Sequence, residues 1–490
     1  MHSFKFHASL LVAALLTACT VGEDYKIPEY YVGVEWDAFH EEWHQFPKPE
    51  YKAAHTERWW TWFADGTLNQ LVNQAIERNH DLKSAQARIK EARANERITG
   101  SVFFPQVDGV ATGRRGTLGG FAGDTLDNSK QYGVSGSWEI DLFGGNRRRD
   151  EAAHYNVMAA NASMQQVRLV LISDVARNYV RLRGLQKQLE LTNSNLGLQS
   201  DAQEVTQGRR DENMVSQLDV VRARAQTQTT KARIPQIKAE INAVANRLAV
   251  LTASNPKAIR EFVSSAAPIP AMPESLPMNI PIETIRSRPD VRTAERQLAE
   301  ATALSGAAFA EFFPKISLEG FFGRNFSDVY GNLSPWNVTL NSLLPILHFD
   351  RISAGVDAAE ARQEQAYHNF QQAVLLAVED VEVNLYNYLS EQERLVSLNA
   401  VARAQRDAAT IAREQYGSGI ASQLDLLDAQ RGALDAETQQ VTSETLIAEN
   451  LVLLLTALSD GHHKEDDNQP ELTGDKEVYS YPSGSSVRSE

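Results

Sequence analysis

One stretch of the chain, from Val356 to Tyr416, contains neither glycine nor proline. It is rich in Ala, Gln, Glu, Arg and Leu, which are all good helix formers. At a rise of 1.5 Å per residue, roughly 60 helical residues reach about 90 Å. A counterpart from about 146 to 207 is interrupted only by Gly184 and Gly197. Helices this long exceed those of globular domains, so the sequence predicts a coiled coil or a tube.

Apolar residues in the Gly- and Pro-free stretch recur at three- and four-residue spacing. Val374, Val378, Val381 and Leu385 form one such row. Residues at this spacing share one face of a helix. The pattern predicts that this face is buried against neighbouring helices, while the other faces stay polar.

The sequence contains an internal duplication. Asn79-His80-Asp81-Leu82 matches Arg288-Pro289-Asp290-Val291, and Ser216-Gln217-Leu218-Asp219 matches Ser422-Gln423-Leu424-Asp425. Proline is absent between Pro105 and Pro235, but seven prolines fall from Pro256 to Pro289. Taking prolines as boundaries, we predict a first repeat at 61–255, a Pro-rich linker at 256–280, a second repeat at 281–459 and a polar tail at 460–490.

Four segments between the helical stretches alternate with period two, at about 104–114, 130–143, 315–326 and 336–347. In the second segment one face carries apolar residues such as Tyr132, Val134 and Trp138, and the other carries Ser and acidic residues. Such strands suit lipid on one face and water on the other. Four strands are too few to close a barrel, so oligomerisation is implied. An antiparallel sheet on a soluble core is the alternative.

The N-terminus reads as an export signal at 1–18, with Lys5 followed by an apolar run too short to span a bilayer. It ends at Cys19, the only cysteine, in a sequence that resembles the bacterial lipobox, and a lipid-anchored segment at 19–60 would follow. The net charge of −15, without a long basic patch, makes nucleic acid an unexpected partner. No later stretch approaches 18 consecutive apolar residues, so any membrane crossing would use strands.

Several motifs in fixed order resemble the TolC-like outer-membrane efflux family, and within it the lipoprotein branch that serves RND pumps. They are Arg288-Pro289-Asp290, Phe312-Phe313-Pro314, Trp138-Glu139-Ile140-Asp141-Leu142-Phe143-Gly144 and the two Gln-Leu-Asp turns. The resemblance implies an α+β membrane protein in which three chains give four strands each to a 12-stranded outer-membrane β-barrel. That barrel would continue into a long periplasmic α-helical barrel. A periplasmic adaptor and an inner-membrane RND-type pump would be partners, and no cofactor is implied.

The resemblance also implies a periplasmic gate where the last long helix begins. The matching positions are Leu424, Asp425, Asp428, Asp219 and Tyr416. Asp425 and Asp428 share a helix face, so a trimer would gather six carboxylates near its axis. Capping by Ser422 explains Asp425 equally well, because Ser at N-cap and an acid three residues later stabilise a helix start.

The turns before the last helices hold residues that tolerate left-handed backbone, and the resemblance implies that they contact the adaptor. These are Asp211 and Asn213 in one copy and Gly417 and Gly419 in the other. Family members can carry, at the position of Ala421, an arginine that ties the closed gate. The resemblance therefore does not tell how the gate of this chain is held closed.

Enzyme functions find little support. His40-Glu41-Glu42-Trp43-His44 matches a zinc-hydrolase pattern but has no downstream third ligand, and His462-His463 lies in the polar tail. No phosphate-binding loop or nucleophile elbow occurs. The alternatives are a duct for metal ions or secreted polypeptides, a periplasmic structural or adaptor lipoprotein, and a zinc hydrolase resting on His40 and His44.

Overall fold

The computed structural model describes residues 20–30, 36, 56–118, 125–270, 281–347 and 349–459. The signal segment, Cys19, His40, His44 and the polar tail lie outside the described residues. The first half contains, besides the short helices Thr56–Phe63 and Ser101–Phe103, the elements α1 (Gly66–Arg78), α2 (His80–Gly100), β1 (Gln106–Leu118), β2 (Thr125–Ile140), α3 (Gly145–Asp211) and α4 (Gln217–Leu251). The second half contains α5 (Pro256–Phe262), α6 (Pro281–Ser287), α7 (Pro289–Ala310), β3 (Lys315–Ser327), β4 (Gly331–Leu333), β5 (Trp336–Leu343), α8 (Phe349–Gly417) and α9 (Gln423–Ala457).

The two very long helices are confirmed. Helix α3 has 67 residues and α8 has 69. Each is followed by a helix of 35 residues, α4 and α9 respectively. The predicted apolar row of α8 is buried at Val374, Val381 and Leu385. Among the described residues, no helix is long and apolar enough to cross a membrane.

The strands form one antiparallel sheet. Strand β2 pairs with β1 and β3, and β3 also pairs with β5 and with the short β4. The prediction of four strands was incomplete, because Gly331, with φ of +70°, lets the chain reverse and pair residues 331–333 with the end of β3. Strand β5 ends at Leu343, before the predicted 347, because Pro345 has no N–H to donate to a ladder.

The other strand boundaries also differ from the prediction. Strand β1 runs from 106 to 118 rather than from 104 to 114, and β2 begins at 125 rather than 130, because the pairing of the two strands continues to their far ends. Strand β2 stops at Ile140 rather than 143, because the next residue caps a helix. The Asp141 carboxylate accepts hydrogen bonds from the backbone N–H groups of Asn146 and Arg147 at the start of α3.

One face of the sheet exposes apolar side chains within the single chain. Trp336, Val338 and Leu340 alternate along β5 and are each about two-thirds exposed or more. Val134 of β2 and Phe322 of β3 are exposed as well. A row of large exposed apolar residues on a sheet marks a surface that contacts a protein partner or a membrane.

The main core lies along the middle of the long helices. It joins Trp59 and Phe63 of the first short helix to Tyr179 of α3, Leu385 of α8 and Leu451 of α9. At its edge, each half ties the start of one helix to the end of another by a buried side chain. Asn79 Nδ2 donates to Leu251 O at 3.0 Å, and Arg288 Nη1 donates to Ala457 O at 2.9 Å.

Prolines do not all lie outside helices. Pro235 lies inside α4, within the predicted first repeat, and does not end the helix. Its ring is on an exposed part of the helix, where water can bond the freed carbonyl. The predicted linker at 256–280 begins with helix α5, in which Pro256 follows the Asn255 cap, and Ile259 of this helix is buried in the core.

Candidate functional site at the helical tips

Two short turns connect α3 to α4 and α8 to α9. Each turn follows the end of a long helix that is opposite to the end joined to the sheet. Both shorter helices start with a complete capping box. The Ser216 hydroxyl lies 2.7 Å from the Asp219 carboxylate, and the Ser422 hydroxyl lies 2.7 Å from that of Asp425. The backbone N–H of each serine donates to the same carboxylate. Asp219 and Asp425 therefore act as caps in this chain.

Two of the predicted turn residues adopt left-handed backbone. Asn213 has φ of +59° and Gly419 has φ of +76°. The next N–H in each turn reaches back over the helix end, Met214 N to Arg209 O and Ile420 N to Gln415 O. This arrangement satisfies carbonyls that a helix end leaves free. The other two predicted residues end the helices, Asp211 closing α3 and Gly417 closing α8.

Arg209 joins the two tips. Its Nη1 donates to the backbone oxygen of Tyr416 and its Nη2 to that of Gly417, both at 2.7 Å. Its guanidinium carbon lies 4.5 Å from the centre of the Tyr416 ring. A planar cation thus caps the end of α8, where the carbonyls carry partial negative charge, and stacks on an aromatic ring. We call this group the tip clamp, and define it as Thr206, Arg209, Tyr416 and Gln423.

The rest of the tip clamp is buried beneath Arg209. Thr206 donates to Ala202 O within its own helix at 2.7 Å, so its oxygen can accept from the Tyr416 hydroxyl 3.0 Å away. The Thr206 hydroxyl also lies 3.0 Å from Gln423 Oε1, an acceptor to which it can donate in place of Ala202 O. Thr206, Tyr416 and Gln423 are all less than 5% exposed. One small polar cluster therefore links α3, α8 and the first residue of α9.

The remaining predicted gate residues lie outside this cluster. Leu424 is 46% exposed, and the Asp428 carboxylate, which is largely exposed, lies 3.7 Å from Arg431 on the next turn. An exposed pair of this kind contributes little to stability. The hydrogen bonds from the Ser422 side chain and backbone hold the pKa of the Asp425 carboxyl below its usual range. The tip of α9 thus presents an apolar side chain and two carboxylates to its surroundings.

Sequence reasoning identified Tyr416 but missed Arg209, Thr206 and Gln423. A basic residue in the last turn of a helix is a recognisable sequence signal. It indicates capping of its own helix, and it gives no sign that the guanidinium will reach the end of another helix 207 residues later in the chain. Among the described residues, no cluster of three or more His, Cys, Asp or Glu side chains is arranged to hold a metal ion.

The family model for outer membrane efflux proteins matches residues 71–254 and 281–459. The chain belongs to the outer membrane efflux protein family. It is 32% identical to nodulation protein T of Rhizobium leguminosarum bv. trifolii, over 87% of this chain and 91% of that protein. It is 28% identical to the cation efflux system protein CusC of Escherichia coli K12, over 92% of this chain and 98% of that protein.

Solved structures agree with this assignment. The outer-membrane channel OprN superposes with a TM-score of 0.84 at 33% identity, covering 91% of this chain and all of that chain. The open state of the Neisseria gonorrhoeae MtrE outer membrane channel gives 0.76 at 27% identity, with 90% and 98% covered. The fold is therefore the TolC-like channel fold, and the family consists of outer-membrane efflux channels rather than enzymes.

Proposed function

We propose that this chain is the outer-membrane duct of a tripartite efflux system, through which an inner-membrane RND-type pump expels small molecules. A periplasmic adaptor would bridge the two. The observation that carries the proposal is the continuity of an exposed apolar sheet with helices of 67 and 69 residues. At 1.5 Å per residue each helix is about 100 Å long, which suits a wall that runs from a membrane across a compartment.

The sheet supports a trimeric barrel. Within the described residues, β1 pairs only with β2, and β5 pairs only with β3, so the sheet has two open edges. Open edges with an apolar face are hazardous unless they are paired. We propose that three copies pair edge to edge, with four long strands each, to close a 12-stranded barrel. The acylated Cys19 would anchor each copy in the outer membrane.

The relatives favour no single cargo. CusC is named for cation efflux, a related protein of Pseudomonas putida is a solvent efflux pump outer membrane protein, and another is a pyoverdine export outer membrane protein. These names cover three different kinds of cargo: cations, solvents and pyoverdine. We infer that the duct carries what its pump delivers, and that small toxic compounds are the main cargo of this chain.

We propose that the tips form the periplasmic gate and the adaptor-contact surface. Leu424, Asp425 and Asp428 would line the gate, with Asp219 and Tyr416 beside it. The turns at Asp211, Asn213, Gly417 and Gly419 would contact the adaptor. Arg209 would hold the gate closed in place of the arginine that this chain lacks at Ala421, because it ties the end of α8 to α3.

Single-channel conductance in planar bilayers tests this function, with the acylated wild type compared with Leu424→Ala/Asp428→Ala. We expect a small wild-type conductance that rises in the double variant, because a side-chain constriction and its carboxylates are removed. Leu375→Ala/Glu379→Ala, an exposed leucine and an exposed acid at the same spacing in the middle of α8, serves as a control for general damage. Stable insertion without conductance in any variant would reject the duct and favour a periplasmic scaffold.

A further inference from the structure

Residues 20–30, here called the N-terminal strap, lie against the place where the sheet meets the long helices. Val21 N donates to Phe143 O at 3.2 Å, just after the end of β2. Thr20 packs on Gly144, which has φ of +80°, and a Cβ there would lie 2.9 Å from Thr20 Cα. The strap therefore starts in direct contact with the turn between β2 and α3.

Arg148 of α3 holds the strap by several hydrogen bonds. Its Nε donates to Val21 O at 3.1 Å, and its Nη2 donates to Gly22 O at 3.0 Å and to the Asp24 carboxylate at 2.8 Å. Its Nη1 donates to Glu151 at 2.8 Å. The Arg148 side chain is only 3% exposed. A buried guanidinium without these acceptors would be costly, so strap and arginine stabilise each other.

The strap also contacts the second half of the chain. Gly22, with φ of +91°, crosses Gly306 of α7 so closely that a Cβ on Gly22 would lie 2.6 Å from Gly306 Cα. Three residues further on, the Tyr25 hydroxyl donates to the Glu295 carboxylate of α7 at 2.6 Å. The strap therefore bridges α3 and α7, helices of different halves, directly below the sheet.

The apolar belt is a set of apolar side chains where the sheet meets the helices, and one of them, Phe143, accepts the Val21 N–H at its backbone oxygen. Phe143 stacks on Phe313 with ring centres 4.7 Å apart, and Phe313 contacts Phe309. The segment between β5 and α8 adds Ile346, which is 70% exposed, and Leu347, which is 91% exposed. Exposed apolar groups in such numbers need an apolar partner.

We propose that Arg148 is a positioning residue that docks the N-terminal strap, so that the lipid anchor on residue 19 is fixed beside the apolar belt instead of moving on a free tether. Thr20, which contacts Gly144, directly follows residue 19 in the chain, and consecutive Cα atoms are 3.8 Å apart, so docking of Thr20 limits how far the anchor can move. Acyl chains on residue 19 would then be held within reach of the belt. The inference rests on the proposed acylation of Cys19.

Limited trypsin digestion of the mature protein, purified from membranes and placed in lipid vesicles, tests the docking. Lys26 is exposed in the strap, but a protease needs the surrounding backbone to detach before it can cut. We expect the wild type to resist cleavage after Lys26, and Arg148→Gln to be cut at least tenfold faster. Arg149→Gln is the matched control, because Arg149 donates to Asn146 and Glu311 rather than to the strap.

A second variant guards against loss of folding in Arg148→Gln. Gly22→Ala changes the strap alone, where the added Cβ would overlap Gly306, and we expect it to raise Lys26 cleavage by a similar factor. Equal cleavage in the wild type and both variants would overturn the docking.

The mass of the released peptide, residues 19–26, separates this inference from the proposed function. An acylated peptide supports the anchor. A peptide without acyl groups would overturn the anchor while leaving the duct proposal to the conductance measurement.

Discussion

Replacing Arg209 by alanine should release the tip clamp and favour the open gate. The change removes two hydrogen bonds from a charged donor to the carbonyls of Tyr416 and Gly417, and a contact with the Tyr416 ring. Hydrogen bonds of charged groups contribute about 1.5–3 kcal/mol each when water is excluded. Arg209 is only half-buried. We therefore assign about 1 kcal/mol to each bond, or about 2 kcal/mol per protomer.

A change of about 2 kcal/mol corresponds to roughly 30-fold in an equilibrium constant. In planar bilayers, Arg209→Ala should therefore raise the open probability of single channels by up to about 30-fold for each independently acting protomer. Arg209→Lys should lie between wild type and alanine, because lysine keeps the charge but cannot donate to two carbonyls in a fixed plane.

The neighbouring arginine provides the control. Arg210 donates to Asn213 inside its own turn rather than to α8, so Arg210→Ala removes the same charge from the same tip without breaking the tie. It should leave the open probability close to that of the wild type. Equal increases in Arg209→Ala and Arg210→Ala would show that net charge at the tip controls the gate, and would refute the clamp. No change in either variant would refute the closing role of this contact.

Two further predictions concern stability. Folding lowers the pKa of Asp425, so its cap stabilises α9 fully at pH values above the unfolded pKa of about 3.9 and loses this effect as the pH falls through the folded pKa. Hydrogen-exchange protection of residues 423–427 should therefore decrease when the pH drops below about 4. Equal protection at pH 3 and pH 7 would contradict this. Gly184→Ala should lower the free energy of unfolding by about 1–3 kcal/mol, because the added Cβ would lie 2.2 Å from Thr445 Oγ1. Gly197→Ala, in open space on the same helix, should raise it by about 0.5–1 kcal/mol, and equal effects of the two changes would contradict the packing of α3 on α9.

The sequence predicted the elements whose causes are local. The long helices followed from the absence of Gly and Pro, and helix α8 extends only a few residues beyond the predicted 356–416. The two capping boxes were also readable, because both partners lie three residues apart. The sequence did not reveal that α4 continues through Pro235, since whether a helix tolerates proline depends on solvent at that face, which the local sequence does not show.

Contacts between distant segments escaped prediction. Arg148 is the middle one of three consecutive arginines after a Gly-Gly-Asn sequence, and nothing in this run distinguishes the buried arginine from its partly exposed neighbours. Its burial comes from residues 21–24, more than 120 positions earlier. The apolar faces of the strands were predictable from period two, whereas the partner that covers them was not, because the single chain leaves them exposed.

The two tips show how a duplicated sequence acquires an asymmetric site. Ser216-Gln217-Leu218-Asp219 and Ser422-Gln423-Leu424-Asp425 are identical tetrapeptides with the same capping box. Yet Gln217 is exposed, and Gln423 is buried against Thr206. Identical local structure therefore cannot explain the difference, which comes from the helix that lies beside each tip. Among the described residues, only α3 supplies a threonine and an arginine to the end of α8. This tie acts on the α8–α9 tip, which also carries Leu424 and Asp428, and for this reason we propose that the control of the gate lies there.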